Sequence, residues 1–191
     1  IVNMAESQQQ SALAWVYDLL LKNQGKQLLY VPFANYTNFN LDCCRDMILD
    51  PNTVMGLGDG GAHVGTICDA SFTTYLLTHW GRDRSRGERI ALPTLVKSQS
   101  YDTATAVGLH DRGLLKAGMK ADINVIDFDK LQVHAPKIIN DLPAGGARFQ
   151  QNASGYIATF VNGTMTYSNG EATDALPGRL IRGGKSAPSS N

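Results

Sequence analysis

Cysteine is scarce in this chain: there are three, the adjacent pair Cys43 and Cys44, and Cys68 on its own. An odd count with a neighbouring pair is a poor disulfide framework, because S–S geometry does not suit adjacent positions. No Cys-x-x-Cys pair is present, which argues against a structural zinc site. Unbridged thiols suit a reducing compartment, so the expected location is cytoplasmic. Net charge is lacking as well. Seventeen Lys and Arg balance seventeen Asp and Glu. Such a chain has no global field to recruit nucleic acid or an anionic membrane, and neither is expected as a partner. No apolar run approaches the ~20 residues that span a bilayer. The opening, Ile1 to Ala5, has no basic stretch or apolar core of a leader, a reading that holds only if Ile1 is the natural start. His-x-His, His-Glu-x-x-His and Gly-x-Ser-x-Gly are missing, and no internal repeat is found. The chain therefore offers no local histidine metal motif and no nucleophile elbow.

What is present is an ordinary globular composition, 43% hydrophobic and 18% charged. Apolar spacing predicts a helix over residues 7–23, stopped near Gly25. Residues 27–33 (QLLYVPF) form a short apolar run with the look of a strand. Asn40 can cap a helix over 41–49, which Asp50-Pro51 would end. A short buried strand is expected at 53–57 (TVMGL), then the glycine-rich stretch 58–61, a helix over 71–79, and one or two short helices between 93 and 107. This alternation of helix and strand predicts parallel βα units. Beyond residues 111–113 the pattern turns to β. Residues 121–128 alternate like a strand. Residues 155–161 and 164–167 flank Asn162-Gly163, a strong hairpin signal, and Asn169-Gly170 marks a further turn. The end, from 183 on, is small and polar and is expected to be disordered. Arg82, Arg84, Arg86 and Arg89, interleaved with Asp83 and Glu88, read as a solvated loop.

Asp59 is the leading candidate for chemistry. It follows the expected strand 53–57 and is flanked by glycines. In parallel α/β folds, functional groups sit on the loops at the carboxyl ends of strands. A carboxylate there, with Gly58, Gly60 and Gly61 permitting close backbone approach, suits a general base. The same letters also describe a plain turn aspartate. Asp59 is expected in or beside the largest cleft. His63 could bind a metal, orient a substrate or serve structure alone. His79 reads as a core or helix-end histidine, and His110 and His134 have no partner at ligand spacing. Cys44 shares a helix face with Leu41 and Ile48 and reads as core filler.

At Asp59 the sequence also resembles a known family. Residues 56–84 (GLGDGGAHVGTICDASFTTYLLTHWGRDR) look like the last barrel strand and following loop of amidohydrolases of the N-acyl-D-amino-acid deacylase (D-aminoacylase) type. Residues 107–129, containing ADINVID, are similar to the segment that returns the chain of this superfamily to a β-sandwich. Residues 160–163 and 176–179 resemble its closing hairpin and tail. The resemblance implies an α/β-plus-β fold: the last strands and helices of a (β/α) metal-dependent hydrolase barrel over residues 1–110, then the C-terminal part of a β-sandwich over 111–182, then a disordered tail over 183–191. It implies hydrolysis of an amide C–N bond by a zinc-activated water. Asp59 matches the family's proton shuttle, which can also touch the metal. His63, Gly60 and Gly61 fall in the loop that contacts substrate.

The histidine ligands of that family have no match in this sequence. A whole (β/α) barrel takes ~250 residues, more than this chain holds. The expectation is an enzyme part that is inactive alone and retains no zinc, working on a small-molecule amide as a homo-oligomer or with a missing N-terminal segment. A cyclic-amide hydrolase of the dihydroorotase or hydantoinase kind and a non-catalytic binding module are the other readings. Strands at 27–33 and 53–57 without their barrel neighbours would expose unpaired edges, which invites self-association.

Overall fold

A computed structural model describes residues 1–32, 34–60 and 63–189. Helix α1 (Val2–Ser7) and helix α2 (Ala12–Gly25) belong to the first of two compact units, residues 1–46. The Ser11 hydroxyl accepts the Ala14 N–H at 3.2 Å and so caps α2. Regular helical backbone ends before Lys22, which is extended; Asn23 and Gln24 are left-handed. Helix α3 (Asp42–Leu49) begins where the Asn40 side chain accepts the Asp42 N–H at 3.0 Å, the cap read from the sequence. Ala5 is the buried apolar residue of this unit among those described.

The second unit, residues 47–191, holds the main core. Helix α4 (Phe72–Tyr75) runs on as a π-helical stretch, Leu76–Asp83, closed by the Arg84 N–H donating to the His79 carbonyl at 2.8 Å. Helix α5 (Leu92–Lys97), a π-helical turn (Ser98–Asp102) and helix α6 (Thr103–Ala106) follow. Leu76, Leu77, Trp80, Ile90, Leu95 and Ala104 are buried between these helices, and Leu131 and Ala158 add the β side of the core.

Among the described residues, the strands that follow are β1 (Ile123–Ile126), β2 (Gln132–Val133), β3 (Lys137–Leu142), β4 (Gly146–Gln150), β5 (Ala153–Ser154), β6 (Tyr156–Val161), β7 (Thr164–Ser168) and β8 (Glu171–Ala172). They form an antiparallel sheet in the order β1-β6-β7-β8 and two separate pairs, β2-β5 and β3-β4. The Asn162-Gly163 hairpin is as the sequence predicts. Both residues have positive φ, 50° and 78°, and Val161 faces Thr164. Asn169-Gly170 turns β7 into β8 the same way.

The first half departs from expectation. Residues 27–32 and 53–57, read as strands, pair with nothing among the described residues; Phe33 lies outside them. A strand needs a neighbour for its N–H and C=O groups, and the described residues build no parallel βα unit. The parallel pairing that does occur is an isolated bridge, Leu109 with Lys185. It anchors the tail read as disordered: the Lys185 N–H donates to the Gly108 carbonyl at 2.8 Å, and Lys185 accepts from the His110 N–H at 2.9 Å.

The arginine cluster is also not a solvated loop throughout. Arg84 is 5% exposed, its guanidinium 4.6 Å from the Trp80 ring centroid. Arg82 donates to the carbonyls of Phe128, of Asp129 (3.2 Å) and of Leu131 (2.8 Å), joining the helical half of this unit to the β half.

Candidate functional site

Asp59 lies in an irregular, exposed segment rather than at the end of a paired strand. Gly58 and Gly60, on either side of it, leave no room for a Cβ. A Cβ at Gly58 would stand 2.7 Å from both the Asp69 carbonyl oxygen and the Phe72 ring. One at Gly60 would stand 2.9 Å from the Ala70 Cβ. The Gly-Asp-Gly backbone is thus pressed onto the chain that leads into α4, a fit that only glycine permits. Gly61, the other substrate-contact candidate, lies outside the described residues.

His63 is exposed and has a positive φ of 51°. Its carbonyl accepts the Thr66 N–H at 2.7 Å, the Ile67 N–H at 3.0 Å and the Thr66 hydroxyl at 3.1 Å, so the residue opens a turn. That turn is tied to the β half by the Phe149 N–H, which donates to the Val64 carbonyl at 2.8 Å.

A cleft of about 450 Å³ opens beside the loop, lined by Gly60, Cys68, Ser71, Thr74, Gln151 and Tyr156 among others. The Gln151 Oε1 accepts from the Ser71 hydroxyl at 2.5 Å and from the Cys68 thiol at 3.7 Å, while its Nε2 donates to the His134 carbonyl at 2.9 Å. The Thr74 and Tyr156 hydroxyls share a hydrogen bond of 2.7 Å. Burial, then the nearby Asp69 carboxylate, pushes the Cys68 thiol above its ordinary pKa, which makes it a poor nucleophile. A wider cleft, about 810 Å³, is lined by residues 47–56 together with Thr94, Lys97, Ser98, Asp102, Thr105 and Ala106. Asp59 is not in its lining.

His79 and His134 keep structural company. His79 stacks on Tyr75 at 4.9 Å and meets Trp80 edge-on at 4.9 Å. The His134 ring contacts the Ser154 hydroxyl at 3.0 Å. Among the described residues no three His, Cys, Asp or Glu side chains converge as metal ligands. A catalytic zinc takes three protein ligands, so the described residues do not by themselves fit one. No described helix is long and apolar enough to cross a membrane.

Sequence reasoning set Ser71 aside for want of a nucleophile elbow and did not single out Gln151. Ser71 stands where a helix cap stands, and Gln151 sits in no motif. Their meeting across 80 positions has no local signal.

The Amidohydrolase family profile matches residues 15–171, most of the chain and all of the loop and cleft just described. A dihydroorotase from Elusimicrobium minutum (strain Pei191) is 33% identical over 92 residues, which cover 42% of this chain and 21% of that protein. The match therefore spans about a fifth of the relative's length. No solved structure matches. With the family profile running through both the helical half and the β half, the chain belongs to the amidohydrolase family, whose domains are of the (β/α)-barrel type.

Proposed function

We propose that this chain is part of a metal-dependent amide hydrolase in which Asp59 is the reacting carboxylate. The observation that carries this is the Gly58-Asp59-Gly60 loop, packed onto the start of α4 and placed beside a polar cleft, inside the region that the family profile covers. The 1–110 segment then corresponds to the end of the barrel and 111–182 to part of the sandwich.

In this role Asp59 takes the proton of the attacking water and gives it to the leaving nitrogen, as a carboxylate placed on an open loop can do. Gly60 and His63, on the same stretch of chain, would contact the substrate, a role the resemblance also gives to Gly61. The metal that the family uses would, when bound, lower the pKa of a water. Ligands beyond Asp59 would have to come from an N-terminal segment or from a second copy of the chain.

The preferred substrate class is N-acyl-D-amino acids, from the resemblance of residues 56–84. The dihydroorotase relative favours a second reading, the hydrolysis of a cyclic amide. The two are told apart by assaying hydrolysis of N-acetyl-D-amino acids and of dihydroorotate side by side. A non-catalytic module would turn over neither in any longer form.

For the 191-residue chain with added zinc, the expected result is no turnover above background and no stoichiometric zinc after dialysis. A carboxylate base alone contributes only ~10²–10⁴-fold. Zinc-dependent turnover that is lost in Asp59→Asn would overturn the claim that the chain needs ligands from elsewhere. It would also establish Asp59 as the base.

A further inference from the structure

We infer that Gln151, with Ser71, is a positioning pair that holds the Asp59 loop in shape from the β half of the unit. The inference rests on the reading of Asp59 as the reacting carboxylate, but the clamp itself is visible without it.

The first observation is a hydroxyl withdrawn from its usual duty. Ser71 is the N-cap residue of α4, yet its side chain makes no capping bond. A serine at this position ordinarily satisfies an N–H of the first turn. Here the hydroxyl donates instead to Gln151, 80 residues away, at 2.5 Å. The Gln151 amide is held in turn, since its Nε2 donates to the His134 carbonyl at 2.9 Å. An amide fixed at one end presents its oxygen at a defined point, and that oxygen also receives the Cys68 thiol at 3.7 Å.

The second observation is that the same stretch is held at other points. Val64 is joined by a backbone bond to Phe149, and Thr74 to Tyr156 through their hydroxyls. The third is steric. Gly58 and Gly60 rest on Asp69, Ala70 and Phe72, the residues immediately around Ser71. Whatever fixes residues 68–72 therefore fixes the backbone on either side of Asp59. Positioning a reacting group matters because small misplacements are costly in rate. The loop has no ladder of its own to hold it, since residues 53–57 are unpaired.

The test is amide hydrogen exchange on the full 191-residue chain, comparing wild type with Ser71→Ala, Ser71→Thr and Gln151→Leu. Thr66, Ile67 and Phe149 report, because their N–H groups bond within or onto the loop. In Ser71→Ala and Gln151→Leu these three amides are expected to exchange at least tenfold faster, with the amides of β6 and β7 unchanged. Ser71→Thr keeps the hydroxyl and is expected to restore protection, which separates the bond from mere packing. Unchanged exchange in Ser71→Ala would overturn the clamp. So would equal acceleration throughout the unit, or a failure of threonine to rescue. The hydrolysis assay above is independent: it can sink the role of Asp59 while the exchange data stand, and the reverse.

Discussion

His79 shows how far a single residue can be read from sequence. Its spacing marks it as a helix histidine, and it is one, stacked on Tyr75 and meeting Trp80 edge-on. Its titration depends on neighbours that sequence does not place. Burial lowers its pKa, the Arg84 guanidinium lowers it further, and Asp83 opposes them weakly. The folded state thus binds this proton less well than the unfolded chain, whose histidine titrates near 6.5. The stability tied to neutral His79 is complete above that value and falls as pH drops through it, ending once the folded pKa is passed. Urea midpoints of the wild type should therefore decline between pH 7.5 and 5, and His79→Gln should flatten that decline. The lowered carboxylates Asp83, Asp111, Asp127 and Asp141 titrate below this window and do not blur it. An equal slope in wild type and variant would show that His79 is not the group responsible. Asp59 is the opposite case: its flanking glycines announced close backbone contact, but a turn aspartate and a catalytic base use the same letters.

The hairpins were legible at the element scale because Asn-Gly forces its own turn: both residues accept positive φ, and the register follows. The helix at 72–75 was legible by its apolar spacing. Its π-helical continuation was not, because spacing alone does not separate i+4 from i+5 bonding. The stretches 27–32 and 53–57 were misread as strands for a physical reason: a β-branched, apolar run becomes a strand only when a neighbour supplies the ladder. The tie between the two halves was also invisible, since Arg82 looked like one charge in a charged loop. Its bonds to three carbonyls of residues 128–131 predict a loss for Arg82→Met of about 1.5–3 kcal/mol, as charged hydrogen bonds to two half-buried carbonyls and one exposed carbonyl are lost. Chemical denaturation at neutral pH measures it, and a change below about 0.5 kcal/mol would contradict the tie. Gly155 gives a second check. It has φ +93°, and a Cβ there would stand 2.5 Å from the Leu131 Cα and 2.6 Å from its nitrogen. Backbone cannot yield as a side-chain tip can, so Gly155→Ala should cost about 2–4 kcal/mol through strain and clash combined. A neutral result would mean that the junction between β5 and β6 is looser than its geometry.

At the scale of the whole molecule, the uncovered apolar surface of the second unit has consequences. Leu57 is fully exposed, Val107 is 68% exposed, and Val54 and Val96 are about half exposed. Val54, an unpaired stretch of backbone and α5 border the cleft of about 810 Å³. Apolar groups beside unpaired backbone make a surface that another chain can cover, by packing and by strand pairing together. We therefore expect the chain to self-associate, with a dimer or larger species growing with concentration. Size-exclusion chromatography with light scattering reads this directly, and a clean monomer at high concentration would count against it. Leu57→Glu identifies the surface. Because the Leu57 side chain is fully in solvent, the substitution removes no packing from the monomer, and its thermal stability should hold. A charge there must be desolvated when the surface is covered, so the association constant should drop by tenfold or more. Association that persists unchanged in Leu57→Glu would place the contact elsewhere and remove residues 53–57 from it.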